Sequence, residues 1–395
     1  MTAATTFTPR DNPAFILHGK LQTSYEELPV PEVGPDEVLV EVKHTGICGS
    51  DVHFYNSGKL GLVSCSSAMC LGHESAGEVV QLGANLAAKA ASAAQANGSA
   101  PAGAAPLQLG DRVALEPGTT CRMCDDCRRG QYQICEHMEF AAYPPHHGTL
   151  CRYYKLPYDL VYRLPDSVPT IYGAMMEPLS VAVHSVANVG GLRTNQNVLI
   201  FGAGPVGLLC MAAAKGLGAG RIIGVDINEE RLAFAKGYAA TDVYIPPKQN
   251  EGESRPDYSL RAARDLLASL RIPERGHGSI DLVVDATGAE TCIQIGLNAV
   301  RPGGTFVQTG FGNPDVTIPM FRTVTNEIVL KGSWRYGSGD YPLSIDLVAR
   351  GLVDLKPLLT HTFTFENALE AFELTRAGKD KDGKPVIKCV IHGPE

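Results

Sequence analysis

Four cysteines fall within fifteen residues as Cys121-x2-Cys124-x2-Cys127-x7-Cys135. Thiolates spaced to fold around one point suit tetrahedral zinc, and four of them leave no open position, so this set predicts a structural metal site. Its neighbours Arg122, Asp125, Asp126, Arg128 and Arg129 predict a polar surface lobe. A second, mixed set is dispersed: Cys48 in Thr-Gly-Ile-Cys-Gly-Ser-Asp, His73 and Glu74 in Gly-His-Glu, and Glu177 in Met-Glu-Pro. Thiolate, imidazole and carboxylate together are compatible with a catalytic zinc that keeps a place for water or substrate. Spacing alone does not assemble them, and His73 by itself reads more readily as a core or surface histidine.

A third constellation is the turn Gly202-Ala-Gly204-Pro205-Val206-Gly207, preceded by the apolar run Val198–Phe201 and followed by a helical stretch. In that context the first glycine makes a tight turn, the second lets a pyrophosphate approach and the third permits close helix packing. The helix N-terminus then offers free amides to phosphate. Asp226 ends the next strand, where a carboxylate grips ribose hydroxyls and repels a 2′-phosphate, so NAD is expected over NADP. Arg231 and Gly310 are counted with the cofactor-binding residues.

The elements that must position these groups change character along the chain. Val38–Val42 and Ser75–Gly83 read as short strands of a β-rich region. From residue 197 strands at 198–201, 221–226, 281–285 and 304–309 alternate with helices at 208–215 and 229–238, which predicts a parallel sheet with helices on both faces. Residues 340–350 read as helix and 386–391 as strand. Ala84 to Leu109 stands apart: twelve of its twenty-six residues are alanine and its only charge is Lys89. Without large apolar groups it is expected to be an exposed inserted loop with at most a transient helical turn.

Gly72-His73-Glu74-x2-Gly77-x5-Gly83, with Gly-Ile-Cys-Gly-Ser-Asp-Val-His, Glu-Pro-Leu-Ser and Gly-Ala-Gly-Pro-Val-Gly, resembles the zinc signature of the medium-chain polyol dehydrogenases, in the sorbitol and xylitol dehydrogenase branch. Phe140-Ala-Ala-Tyr-Pro-Pro, Gly148-Thr-Leu-Cys-Arg-Tyr-Tyr and Arg335-Tyr-Gly-Ser-Gly-Asp-Tyr341 carry a closer match to its xylitol-oxidising members. The resemblance covers nearly the whole chain except the alanine-rich insert and a charged stretch near Lys248 to Arg275. It implies an α/β fold: a GroES-like, β-rich catalytic domain, residues 1–185 and 335–395, and a doubly wound Rossmann domain, residues 186–334. It implies Cys48, His73 and Glu74 as catalytic zinc ligands with Glu177 beside them, binding directly or through water. Ser50 and His53 match proton-relay positions, although alone they read as a turn cap and a surface histidine. Phe54, Phe140, Arg335 and Tyr336 match substrate-facing positions. Phe54 replaces a tyrosine of animal sorbitol dehydrogenases, and Tyr143 a threonine of closer relatives.

The implied activity is zinc-assisted, NAD-dependent oxidation of a pentitol at C2, xylitol to D-xylulose. L-arabinitol 4-dehydrogenase and sorbitol dehydrogenase activities share the machinery, and a non-catalytic nucleotide-binding homologue is the alternative of another class. A homotetramer or homodimer is expected. Composition agrees: of 395 residues 44% are hydrophobic and 19% charged, and 34 basic against 42 acidic side chains leave a charge of −8. That balance argues against a general nucleic-acid or anionic-membrane binder. The 11 cysteines predict a reducing compartment with metal-binding thiolates, not a disulfide framework. The N-terminus lacks an apolar core, and Val198 to Ala214 is too short and too glycine-broken to span a bilayer, so a cytoplasmic protein is expected. Trp334, the sole tryptophan, is expected to pack, and His146 and His147 to be exposed.

Overall fold

The computed structural model describes residues 7–61, 63–95 and 106–395. The chain divides into two compact units, Met1–Glu177 with Leu358–Glu395, and Pro178–Pro357. Residues 178–185 and 335–357, expected in the catalytic domain, therefore group with the dinucleotide-binding unit. The reason is burial on that side. Asp340, at the start of helix Asp340–Ala349, is fully buried and accepts from His184, Asn188 and the Gly337 amide at 2.8, 2.5 and 2.7 Å.

The first unit is built on a seven-stranded sheet. Its order is Val161–Arg163, Arg112–Leu115, Glu74–Leu82, Glu37–Gly46, Lys388–His392, Leu359–Phe363, with Tyr153–Pro157 also paired to Glu37–Gly46. Val38, Val40 and Val42 alternate along the central strand and bury one face of it with Val79, Val113 and Leu115. The same register brings Gly46 opposite Glu74 on one side and Val390 on the other. The C-terminal strand, from the far end of the chain, thus lies beside the segment that carries Cys48.

The alanine-rich insert begins differently from expectation. Ala84–Gln95 is a twelve-residue helix, and Leu86 is buried in the sheet's core cluster, so one leucine anchors what composition alone suggested could not be anchored. The Gly83 carbonyl accepts from the Leu86 and Ala87 amides, and Lys89 lies over the Tyr158 ring. Residues 96–105 of the insert lie outside the described residues.

The second unit contains six parallel strands ordered Asp242–Tyr244, Arg221–Val225, Asn197–Phe201, Leu282–Asp285, Thr305–Gln308, Val329–Gly332. This is the doubly wound order, and its direction reverses between Asn197–Phe201 and Leu282–Asp285, where such folds bind ligands. The charged stretch near 248–275 is the helix Arg255–Ser269. Ser259, Ala262, Ala263, Leu266 and Leu267 bury one stripe of it, and charge on the opposite face hid that period in the sequence. Ser254 caps it, accepting from the Asp257 amide at 3.2 Å. Trp334 is a surface ring, 38% exposed, edge-on to Phe311 and beneath the Arg335 guanidinium. Among the described residues no helix is long and apolar enough to cross a membrane.

One strand pair predicts an acid sensitivity. His44 and His392 face each other across the sheet with ring centroids 5.0 Å apart. Burial, then the charges of His392 and Lys43, pull the His44 pKa from 6.5 to about 4. The unfolded chain therefore binds a proton that the folded chain refuses between those values, so stability falls as pH drops from about 6.5 to about 4. His44→Gln is expected to flatten the Tm profile across that window. Equal slopes for the two proteins would contradict it.

Candidate metal centres and dinucleotide site

The four-cysteine segment forms a small lobe of the first unit. Cys121 Sγ lies 4.0 Å from Cys127 Sγ and 3.6 Å from Cys135 Sγ, and Cys124 Sγ lies 3.8 Å from Cys135 Sγ. Zn–S bonds of about 2.3 Å in a tetrahedron require sulfur separations of about 3.8 Å, so these thiols fit zinc without rearrangement. The Cys124 and Met123 amides draw the Cys121 thiol down to about 6, which prepares a thiolate ligand. Tyr132, on the chain between Cys127 and Cys135, donates to buried Glu116 at 2.6 Å, and Tyr162 donates to its other oxygen at 2.7 Å. That carboxylate ties the lobe to the sheet.

The mixed set also assembles. Cys48, His73 and Glu74 bring ligand atoms within 4.8 Å of one another, with His73 and Glu74 buried. Cys48 caps the helix Gly49–Ser57 and His73 immediately precedes the strand Glu74–Leu82, so helix start and strand start meet here. Asp51 is buried in the first turn of that helix. Its carboxylate approaches His73 Nδ1 at 3.3 Å and accepts from the Gly72 and Cys48 amides at 3.3 and 3.4 Å, which leaves His73 Nε2 for a metal. Burial disfavours charge on His73, but Asp51 and Cys48 outweigh it and raise its pKa well above the usual value. Glu177 is buried in the first turn of helix Met176–Val183 and lies outside the 4.8 Å group. Three such ligands, which leave a tetrahedral position for water or substrate, fit catalytic zinc, as four thiols fit structural zinc.

In the second unit the three loop glycines separate by role. Gly202 has φ +92°, which the turn requires and side chains rarely adopt. A Cβ on Gly207 would stand 1.8 Å from the Gly202 carbonyl oxygen, whereas a Cβ on Gly204 meets nothing within 4 Å. The open side at Gly204 is where a pyrophosphate approaches, at the N-cap of helix Pro205–Gly216. Pro205 and Val206 form the first turn of that helix. Asp226 accepts from the Ala203 amide at 2.7 Å and the Asn228 amide at 2.9 Å, so the acid is tied to the glycine loop itself. Arg231 is exposed one turn into helix Glu229–Tyr238. Gly310 lets the backbone at 286–288 come within 2.6 Å of where its Cβ would be.

Residues 205–350 match the zinc-binding dehydrogenase domain and residues 34–166 the alcohol dehydrogenase GroES-like domain. D-xylulose reductase A of Aspergillus niger is 44% identical over 388 residues, covering 98% of each chain, and the probable D-xylulose reductase A of Aspergillus clavatus is 44% identical over 391 residues, covering 99% of each. The chain belongs to the zinc-binding dehydrogenase family. Among solved structures, an oxidoreductase of unknown specificity from Escherichia coli superposes with a TM-score of 0.81 at 28% identity, covering 98% of this chain and all of its own. L-idonate 5-dehydrogenase from Escherichia coli gives 0.78 at 26%, covering 97% and 98%. The GroES-like and Rossmann folds expected from the sequence are thus the folds of this dehydrogenase, and both metal centres match the family's zinc chemistry.

Of the remaining expected residues, Ser50 is half-buried and His53 exposed on the helix that Cys48 caps, three apart on one face. Phe140 is buried with its ring 5.5 Å from that of His73, which makes it a wall of the metal centre. Phe54 is buried edge-on to Tyr143. In the other unit, Arg335 holds φ +54°, and Tyr336 is buried against Tyr341. Cys70 is not a competing ligand: it is buried and its thiol donates to the Leu71 and Leu150 carbonyls. His147 has a structural task, accepting from the Cys70 amide at 3.0 Å.

Two groups escaped the sequence reading, Asp51 and Lys388. Asp51 was in view as the last residue of the Cys48 motif, three after the thiol, the spacing of a capping acid. Asp51→Asn keeps the shape but removes the charge that orients His73, and is expected to weaken zinc at this centre ~10–100-fold. Competition with a chelator measures this, with the four-cysteine zinc as an internal reference. Unchanged affinity would contradict the assignment.

Proposed function

We propose that this dehydrogenase interconverts xylitol and D-xylulose with NAD as hydride carrier. The observation that carries the proposal is the Cys48–His73–Glu74 centre, with buried His73 and Glu74 beside a partly buried Cys48, supported by 43–45% identity to several proteins named D-xylulose reductase A or probable D-xylulose reductase A. Zinc held there supplies a Lewis acid that lowers the pKa of a bound alcohol toward neutrality. Phe140 closes one side of the centre against water. Ser50, half-buried at the helix start, takes the hydroxyl proton, and exposed His53 one turn later passes it to solvent. Glu177, buried nearby, adds negative charge that favours a neutral polyol over a carboxylate substrate. Asp226 selects NAD, since a carboxylate at the ribose repels a 2′-phosphate.

The eleven cysteines are all free thiols, which supports a reducing, cytoplasmic setting. A homo-oligomer is supported by the edge strand Val329–Gly332, whose four residues are exposed, and by exposed Met320, Phe321 and Val324 just before it. Such an edge pairs naturally with a second copy. A mass of one chain by light scattering would remove that element.

The deciding experiment is a panel of pentitols and hexitols assayed with NAD and with NADP, on protein of measured zinc content. Turnover of xylitol with NAD at two zincs per chain is expected. Absence of xylitol turnover, or oxidation of L-arabinitol instead, would overturn the substrate; fewer than two zincs would overturn the two-centre assignment.

A further inference from the structure

Lys388 lies on the strand Lys388–His392, and its side chain is only 5% exposed. Its ammonium makes a close ion pair with Glu74 Oε2 and donates at 3.0 Å to the carbonyl of Ile47, the residue before Cys48. Three strands are involved, with Glu74 on one, Gly46 on the next and Lys388 on the third. A Cβ at Gly46 would come 2.3 Å from Glu74 Oε2 and 3.3 Å from Lys388 Cε. The missing side chain at Gly46 is therefore what lets a carboxylate and an ammonium meet across the strand between them. A buried pair costs desolvation of both charges and is weak evidence of a stability role, so its position beside the metal centre calls for another explanation.

We propose that Lys388 is a positioning residue for the catalytic metal: it occupies one oxygen of Glu74, leaving the other as a single-oxygen ligand, and keeps a fixed positive charge beside the centre. The inference rests on Cys48, His73 and Glu74 holding zinc. With Oε2 engaged, Glu74 cannot close on the metal with both oxygens, so the fourth position stays open for substrate. The nearby ammonium also opposes the metal's own charge, so the site binds zinc less tightly than it could while the metal withdraws more charge from a bound alcohol. At an effective dielectric of ~20, repulsion between a unit charge and a divalent ion a few ångströms away exceeds a factor of ten in affinity.

The test uses the full-length, zinc-loaded protein and three variants. Lys388→Met removes charge and donor, Lys388→Gln keeps a donor toward Ile47 and Glu74 without charge, and Lys388→Arg keeps the charge. Met and Gln are expected to release catalytic zinc to a chelator at least ~10-fold more slowly, with kcat lowered. With cobalt in that centre, the visible bands of Lys388→Met should weaken as coordination number rises, those of Lys388→Gln, which still holds Glu74 Oε2, should not, and Lys388→Arg should retain wild-type behaviour in both measurements. If Met does not fold, Gln alone decides. Zinc release at or above the wild-type rate in Gln would overturn the proposal, since a lysine that merely staples strands should loosen the metal when lost. Wild-type protein lacking the second zinc would instead overturn the underlying ligand assignment, so the two failures are distinguishable.

Discussion

His73→Ala is expected to lower kcat/KM for the polyol by about 10^4-fold or more and to leave one zinc per chain. Removing the imidazole leaves a thiolate and a single carboxylate oxygen, too few ligands to hold the ion at physiological zinc levels. Loss of the Lewis acid then forfeits several kcal/mol of stabilisation of the developing alkoxide, and each 1.4 kcal/mol is about tenfold in rate. The fold should persist, because the hydrophobic core of this unit is centred on Phe15, Leu17, Leu71 and Ile391 and does not depend on the metal. The four-cysteine lobe should keep its ion, held by sulfur separations of 3.6–4.0 Å that His73 does not touch. Metal analysis beside steady-state kinetics checks this. Two zincs retained with activity lost would show that His73 acts otherwise than as a ligand.

The second large effect is a contrast between two glycines of one loop. Gly207→Ala places a methyl 1.8 Å from the Gly202 oxygen, a backbone atom at the tightest point of the turn, so helix and strand must separate. Overpacking of this kind costs about 1–3 kcal/mol and more where backbone must move, and Tm should fall by several degrees. Gly204→Ala meets nothing within 4 Å and has φ −81°, so it changes stability by no more than about 1 kcal/mol, the scale of an N-cap exchange. Its methyl instead fills the space a pyrophosphate needs, and NADH affinity should fall at least ~10-fold. Thermal melts with NADH titration separate the two. Normal NADH binding by the Gly204→Ala variant would refute the pyrophosphate placement.

These contrasts show how unevenly function was written in the sequence. The glycine loop and the cysteine lobe are each contained in a short stretch, so connectivity alone brings their groups together, and residue type and spacing disclosed the chemistry. Asp226 was legible for the same reason: it ends the strand after the loop, and parallel pairing with Asn197–Phe201 sets it beside the turn. The helix Arg255–Ser269 was obscured because abundant charge masked its apolar stripe, and the helix Ala84–Gln95 because one leucine at the right position outweighs a run of alanines. The segment 335–357 was expected with the catalytic domain because it carries motif residues, but it groups with Pro178–Pro357, where Asp340 is buried among His184, Asn188 and the Gly337 amide.

By itself, the sequence determined a structural metal lobe, a dinucleotide loop with its acid, and a βα alternation that commits residues 197–309 to a parallel sheet. Through resemblance it also named Cys48, His73 and Glu74. Only the tertiary structure decided that Glu74 rather than Glu177 stands within 4.8 Å of the other two ligands, that Asp51 lies 3.3 Å from the imidazole Nδ1, and that Lys388 reaches Glu74 across Gly46. The physical reason is range. A capping turn or a glycine loop is fixed by neighbours a few residues away, whereas Lys388 and Ile47 are 341 residues apart and meet only because a shared sheet register sets their strands side by side.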